Sequence, residues 1–274
     1  MEAARFTNTR TLRIGSDMYI PPVSSMVIAS AVGIASGSIG SFIILKRMAL
    51  VGDALSHVAL PGIALALAYA VDPFWGVLLF VLAAAAIVWW LEGRTTLPGD
   101  ALVGLLFTTS LAVGVLTIPD QELIHSLFGE FPALSPLAFT ITAGLALASA
   151  AMTLGLARQF VFRTTTPDLA RVQGVGRWFD LFLLAIFALI VSLGIKLVGT
   201  LLMGALTIIP ASIGKNLAKS MRAFLIISTL LGGIISVAGL FVAHMFTFLP
   251  GPSIILFGVA LFLVSLVFPR SVRL

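Results

Sequence analysis

Long apolar runs, separated by short polar or basic stretches, cover most of the 274-residue chain. Each run approaches the roughly 20 residues that a helix needs to cross a bilayer. The alternating pattern of a membrane β-barrel is missing from the sequence, so the runs predict helices. We therefore predict an all-α fold, a polytopic membrane helix bundle of about nine transmembrane helices. The predicted spans are residues 23–45, 53–71, 73–91, 99–118, 135–157, 178–195, 197–213, 223–246 and 252–268.

The two runs beside Lys196 are the weakest of the nine, because both are short and contain glycine. A lysine between such runs is also typical of broken or re-entrant helices, so eight spans are the alternative. Residues 1–22 are polar, carry three arginines and have no apolar core, which predicts an N-terminal polar tail or surface helix. Residues 23–270 are expected to form a single transmembrane domain.

The composition narrows the class of protein. Hydrophobic residues make up 59% of the chain and charged residues 10%, and the mean hydropathy is +1.15, as expected for an integral membrane protein. The chain has no cysteine, so any metal must be held by oxygen and imidazole nitrogen. The net charge is +5, and the basic residues lie in short loops between apolar runs. This position favours membrane lipid over nucleic acid as their partner.

Loop charges predict the orientation in the cell membrane. The loop from Pro119 to Pro132 carries Asp120, Glu122 and Glu130 without Lys or Arg, and we expect it outside the cell. Basic clusters are expected in the cytoplasm. They are Lys46 and Arg47; Arg158, Arg163, Arg171 and Arg177; Lys215, Lys219 and Arg222; and Arg270 and Arg273. Nine spans then place the N-terminus outside, although the arginines of residues 1–22 oppose this orientation.

One cytoplasmic loop, residues 158–177, is long enough to bind a partner. Thr166 before Pro167 predicts a helix start, and Gly174 predicts its end. A short amphipathic helix outside the membrane is therefore expected. A solvated connector is the alternative.

The polar pair Asp53 and His57 is the main candidate for chemistry. Their spacing of four positions places both side chains on one helix face. A charge well inside a bilayer costs at least about 2.5–3.5 kcal/mol, so it is seldom kept without a partner or a water-filled cavity. Pro61 has no N–H to donate to the His57 carbonyl, so that carbonyl oxygen is free of its helical hydrogen bond. It becomes a third candidate metal ligand on the same face. A cation site and a helix-capping and packing pair both remain open at this point.

The remaining polar residues give weaker signals. His125 is expected on the surface, and His244 is a packed or interfacial histidine or a metal ligand. Asp72 and Asp180 are expected to be boundary residues at span ends. Neither a G-x-x-x-x-G-K-[ST] nucleotide motif nor a G-x-S-x-G or H-E-x-x-H catalytic motif occurs, so the chain is not expected to hydrolyse ATP or to be an enzyme.

Residues 47–62, Arg-Met-Ala-Leu-Val-Gly-Asp-Ala-Leu-Ser-His-Val-Ala-Leu-Pro-Gly, resemble the signature of the permease subunit of manganese/zinc/iron ABC importers. Further stretches resemble the same family in order and spacing. They are residues 99–107, 168–174, 198–211 and 249–256. Together they extend the resemblance over about residues 25–268.

The resemblance implies a homodimeric permease with the cobalamin-importer-like, type II ABC importer fold. Such a permease works with an ABC ATPase subunit and an extracytoplasmic metal-binding protein, binds no cofactor of its own and transports zinc, manganese or iron. Asp53 and His57 fall on the positions of the family's motif that are associated with the metal path. The resemblance implies ATPase coupling for Pro167, Asp168, Leu169, Ala170 and Gly174. Candidates for secondary metal or binding-protein contacts are His244, Asp120, Glu122 and Glu130.

Two other classes remain as alternatives. An ion-coupled secondary metal transporter would need no ATPase but several carboxylates within the membrane. An intramembrane metalloenzyme would use Asp53 and His57 as acid and base or as ligands, and the sequence offers it no third ligand or nucleophile on another span.

Overall fold

The computed structural model describes residues 23–97, 99–117, 127–128 and 135–268, and within these ranges the regular structure is entirely helical. The predicted N-terminal tail, His125 and the acidic residues Asp120, Glu122 and Glu130 lie outside the described residues. The helices are α1 (Val23–Leu45), α2 (Ala49–Ala68), α3 (Pro73–Glu92), α4 (Gly99–Thr117), α5 (Pro136–Gly155), α6 (Ala157–Thr165), α7 (Pro167–Val172), α8 (Trp178–Val198), α9 (Met203–Leu217), α10 (Met221–Phe246) and α11 (Pro250–Ser265).

A helix occupies the position of each of the nine predicted spans, and the prediction of an all-α bundle is confirmed. Six helices are long and apolar enough to cross a membrane: α1, α2, α3, α5, α8 and α10. Helices α4 and α11 are apolar but shorter. The chain is therefore a multi-pass membrane protein.

The break near Lys196 lies later than predicted. Helix α8 continues through Lys196 to Val198, and α9 begins at Met203 rather than at residue 197. Lysine is a good helix former, whereas Gly199 has φ 82 and ψ 168, which residues with a Cβ rarely adopt. The helix therefore ends at the glycine and not at the charge.

The predicted loop 158–177 is largely helical, which corrects the expectation of a single short helix. Residues 158–165 belong to α6, whose buried Phe160 packs its ring at 5.5 Å from the Phe42 ring and 6.4 Å from the Phe179 ring. This apolar contact with distant segments explains why a polar stretch folds onto the bundle.

Helix α7 begins at Pro167, as predicted. After it, Gly174 has φ 81, and the N–H of Val175 donates to the Ala170 carbonyl at 2.8 Å. This bond is the 6→1 bond of a Schellman motif, in which glycine supplies the left-handed residue that ends a helix. The predicted stop at Gly174 is thus confirmed. The Thr166 hydroxyl donates backwards, to the Phe162 carbonyl of α6 at 3.1 Å.

Small residues bring helix backbones into direct contact. A Cβ added at Gly232 of α10 would lie 2.9 Å from the carbonyl carbon of Gly33 and 3.1 Å from the nitrogen of Gly37, both on α1. Helices α2 and α3 meet in the same way, because a Cβ at Gly62 would lie 2.8 Å from the carbonyl carbon of Gly76. Such close approach is how helices associate in lipid, where apolar side chains gain little by leaving their surroundings.

One end of the bundle, which we call the basic end, carries Lys46, Arg163 and Arg177. There Arg177 donates to the Trp89 carbonyl at 2.8 Å, and the Trp89 indole donates to the Arg177 carbonyl at 3.0 Å. The Trp89 and Trp178 rings lie 5.0 Å apart. Tryptophan together with arginine is typical of a membrane–water interface, so the basic end lies at one surface of the bilayer.

We predict that Gly232→Ala lowers the thermal unfolding midpoint in detergent, because the new Cβ meets backbone that cannot rotate away. Overpacking of this kind costs typically about 1–3 kcal/mol. Gly144→Ala on α5 is the matched control, since a Cβ there has no atom within 4 Å. The control should be unchanged or slightly stabilised by the better helix propensity of alanine. Equal midpoints for the two variants would contradict direct backbone packing of α1 on α10.

Candidate functional site

Asp53 lies inside α2 rather than at its cap. The helix begins at Ala49, and its N-cap position is occupied by Met48, whose side chain makes no capping bond. The first turn contains no acidic residue, so the helix-capping interpretation of Asp53 is wrong. Another reason must account for a carboxylate at this position.

Asp53 and His57 face each other along α2, as their spacing predicts. Their atoms Oδ1 and Nε2 are 3.8 Å apart, which is longer than a hydrogen bond. The Asp53 side chain is 47% exposed, whereas the His57 side chain is only 6% exposed. The buried Nδ1 of His57 has no hydrogen-bond partner in the described part of the chain. The pair therefore presents a partly open carboxylate above an imidazole with unused hydrogen-bonding capacity.

The surroundings of His57 fix the orientation of its ring. The Phe107 ring of α4 packs edge-on against it, with 5.0 Å between the ring centroids. Pro61 lies within α2 and is buried, so the His57 carbonyl lacks its usual i+4 donor. A carboxylate, an imidazole and a carbonyl without its helical bond thus lie along one face of α2.

The first turn of α9 rests on α2 at Asp53. A Cβ added at Gly204 would lie 2.8 Å from both Cα and N of Asp53, and one added at Gly52 would lie 3.4 Å from the Gly204 Cα. Gly204 was not among the residues predicted from the sequence. In the sequence, Gly204 is notable only for its position shortly after the break near Lys196, and that position does not reveal the contact with α2.

The depth of the pair follows from its neighbours. A Cβ at Gly52 would touch the Phe187 ring at 3.5 Å. Phe187 is seven residues beyond Asp180 on α8, which corresponds to about 10 Å along a helix axis. Asp53 therefore lies about 10 Å along the helix axes from the basic end, rather than at that end of the bundle.

The other candidate ligands do not join this pair within the described residues. No group of three or more His, Cys, Asp and Glu side chains able to hold a metal occurs there. His244 lies in the last turn of α10, is partly buried and belongs to no ligand group among the described residues. Among the described residues, one copy of the chain thus offers two neighbouring candidate ligands, Asp53 and His57.

The predicted coupling residues lie on and around α7, at the basic end. Leu169 and Val172 expose 59% and 85% of their surface, whereas Ala170 is fully buried against its own chain. Pro167, Asp168 and Gly174 are exposed. Val172 was not among the predicted residues, although its exposure on a short helix outside the spans makes it a stronger contact candidate than Ala170.

Asp180 is more than the boundary residue predicted from the sequence. Its carboxylate accepts from Lys46 Nζ at 2.7 Å and from Arg163 Nε at 3.0 Å. Both cations come from other elements of the fold, and nothing in the local sequence around Asp180 reveals them.

Comparison with known proteins supports an importer permease. The sequence profile of the ABC 3 transport family matches residues 20–269. The manganese import system permease protein ScaB of Streptococcus gordonii is 33% identical over 247 residues, covering 88% of this chain and 89% of that protein. The high-affinity zinc uptake system membrane protein ZnuB of Haemophilus influenzae is 28% identical over 259 residues, covering 91% of this chain and 97% of that protein.

The solved structure of PsaBC from Streptococcus pneumoniae in complex with Fab contains a chain with the same fold. It matches with a TM-score of 0.80 at 31% identity, covering 91% of this chain and 92% of that chain. The predicted importer-permease fold is thereby confirmed.

We predict that Asp53 borders water. The absence of native cysteine allows single-cysteine variants to be labelled without background. Asp53→Cys should react roughly tenfold faster with a water-soluble methanethiosulfonate than Ala54→Cys, because the thiolate forms in water and not in an apolar core. Ala54 is its buried neighbour and serves as the control. Equally slow labelling of both variants would show that Asp53 does not line an aqueous space.

Proposed function

The chain belongs to the ABC 3 transport family, and on this premise we propose that it is the permease of an ATP-driven importer for a divalent transition metal. The observation that carries the proposal is the pair of Asp53 and His57 on one face of α2, inside the bundle. Together they offer oxygen and nitrogen ligands in a region that is otherwise apolar. A metal cation is the cargo that suits this combination.

The cargo is manganese, zinc or ferrous iron. Relatives of the chain are named for manganese and for zinc uptake, and carboxylate and imidazole ligands suit all three ions. Two ligands are fewer than the four typical of a zinc site. We propose a homodimer, whose two-fold axis would bring two aspartates and two histidines together.

Transport proceeds by alternating access driven by an ATPase in the cytoplasm. The positive-inside rule places the basic end, with α7, on the cytoplasmic side. There the exposed Leu169 and Val172 form an apolar contact for an ABC ATPase subunit. An extracytoplasmic metal-binding protein delivers the ion at the opposite end, and the pair on α2 lies between the two.

The alternatives have less support. A secondary transporter would need several carboxylates within its spans. Among the described helices, Asp53 is the one acidic residue that lies more than three positions from either helix end. Within the described residues, no third His, Cys, Asp or Glu side chain joins the pair, which also disfavours an intramembrane metalloenzyme.

We predict that Asp53→Asn combined with His57→Gln abolishes metal uptake. These substitutions keep the side-chain size and remove the ionised carboxylate and the imidazole ligand. The complete importer would be reconstituted in vesicles, and uptake of radioactive zinc or manganese would be measured with ATP inside. The variant should still purify with its ATPase subunit.

The control for this experiment is His244→Gln, which removes a histidine that belongs to no ligand group in the described residues. We expect it to retain most of the uptake. Undiminished uptake by the Asp53/His57 double variant would refute the metal path along α2.

We also predict that Leu169→Asp combined with Val172→Asp prevents co-purification of the ATPase subunit, because an ionised carboxylate disrupts an apolar contact. Thr95→Asp, an exposed substitution at the same end of the bundle, is the control and should leave co-purification intact. Retention of the ATPase by the Leu169/Val172 variant would mean that α7 is not the docking helix.

A further inference from the structure

Asp180 is the centre of a partly buried ionic junction at the basic end. Besides the bonds to Lys46 Nζ and Arg163 Nε, its Oδ2 lies 3.0 Å from Arg163 Nη2. The exposed fractions are 16% for the Asp180 side chain, 16% for that of Lys46 and 9% for that of Arg163. One carboxylate thus holds two cations that come from two other parts of the fold.

The junction reaches the docking segment through Arg163. Arg163 lies near the end of α6, and its Nη1 donates to the carbonyl of Pro167 at 3.3 Å. Pro167 is the first residue of α7. The same guanidinium therefore binds Asp180 on one side and the start of α7 on the other.

The junction reaches the metal pair through Lys46. Lys46 lies in the tight connection between α1 and α2, where the Lys46 N–H donates to the Phe42 carbonyl at 2.9 Å and the Met48 N–H donates to the Ile43 carbonyl at 3.0 Å. Helix α2 begins three residues after Lys46 and carries Asp53 in its second turn. A shift of Lys46 is therefore transmitted to the start of α2.

From these contacts we propose that Asp180 is a positioning residue that links the ATPase-docking helix α7 to the metal-bearing helix α2. The proposal rests on the importer function proposed above. The junction has two arms, the Arg163–Asp180 ion pair and the Lys46–Asp180 ion pair. When the ATPase moves α7, these two ion pairs carry the displacement to α2.

Apolar contacts allow this role to be separated from simple stability. Phe160 of α6 packs on Phe42 of α1 and on Phe179 of α8 beside the junction. These rings hold α1, α6 and α8 together without any charge. Loss of the ionic bonds should therefore loosen the link between α7 and α2 while the helices remain packed.

The test uses the complete importer in vesicles and measures the metal ions transported for each ATP hydrolysed. With Asp180→Asn we expect a fall of at least about fivefold, the lower end of typical coupling between sites. Binding of the ATPase subunit should be retained. Asp180→Glu keeps the charge and should restore most of the ratio. Asp72→Asn removes a carboxylate from the N-cap of α3, where asparagine also caps well, and should leave the ratio unchanged.

Lys46→Met and Arg163→Met each cut one arm while Asp180 keeps a cation, and both should lower the ratio. If Asp180→Asn fails to assemble, these two variants provide the same measurement with Asp180 unchanged. A wild-type ratio in Asp180→Asn, or in both arm variants, would overturn the inference. Absence of ATP-driven metal uptake by the unmodified importer would instead overturn the proposed function, so the two failures are distinguishable.

Discussion

Direct contact between helix backbones, at glycine and other small residues, sets the arrangement of this bundle. In lipid, apolar side chains do not drive helices together, so association requires close approach at small residues. Gly33 and Gly232 bring α1 against α10, and Gly40 brings α1 against Thr207 of α9. The same helix α9 then meets α2 at Gly204, beside Asp53. The position of the candidate metal ligand is thus set by a series of glycine contacts that contain no ligand themselves.

Two carboxylates in this bundle have opposite environments, and the difference separates their roles. Asp180 is mostly buried and is compensated by a lysine and an arginine, as a structural charge must be in a region of low dielectric. Asp53 is half-exposed, and the one ion-pair partner it has among the described residues is the His57 imidazole, which lies beyond hydrogen-bond distance. A carboxylate without a permanent cationic partner remains available for a mobile one. The first arrangement suits a mechanical link, and the second suits the passage of a metal ion.

Local sequence patterns predict much of this molecule, because local interactions determine those parts. Hydrophobic runs locate the helices at all nine predicted spans. The spacing of four positions places His57 over Asp53, and Pro167 and Gly174 mark the limits of α7 and its turn. The missed features depend on distant residues. Helix α6 is stabilised by Phe160 against Phe42 and Phe179, Asp180 binds partners 134 and 17 positions away, and Gly204 touches a helix far earlier in the chain. No local pattern encodes such contacts.

Metal binding at Asp53 and His57 is the proposal from which the transport path follows. The most direct measurement is anomalous X-ray diffraction from crystals of the permease–ATPase complex soaked with zinc, recorded at the zinc absorption edge. We expect an anomalous peak about 2.0–2.2 Å from the Asp53 carboxylate and the His57 imidazole, the usual zinc–ligand distances. A peak elsewhere in the bundle, with no density between these two side chains, would contradict it.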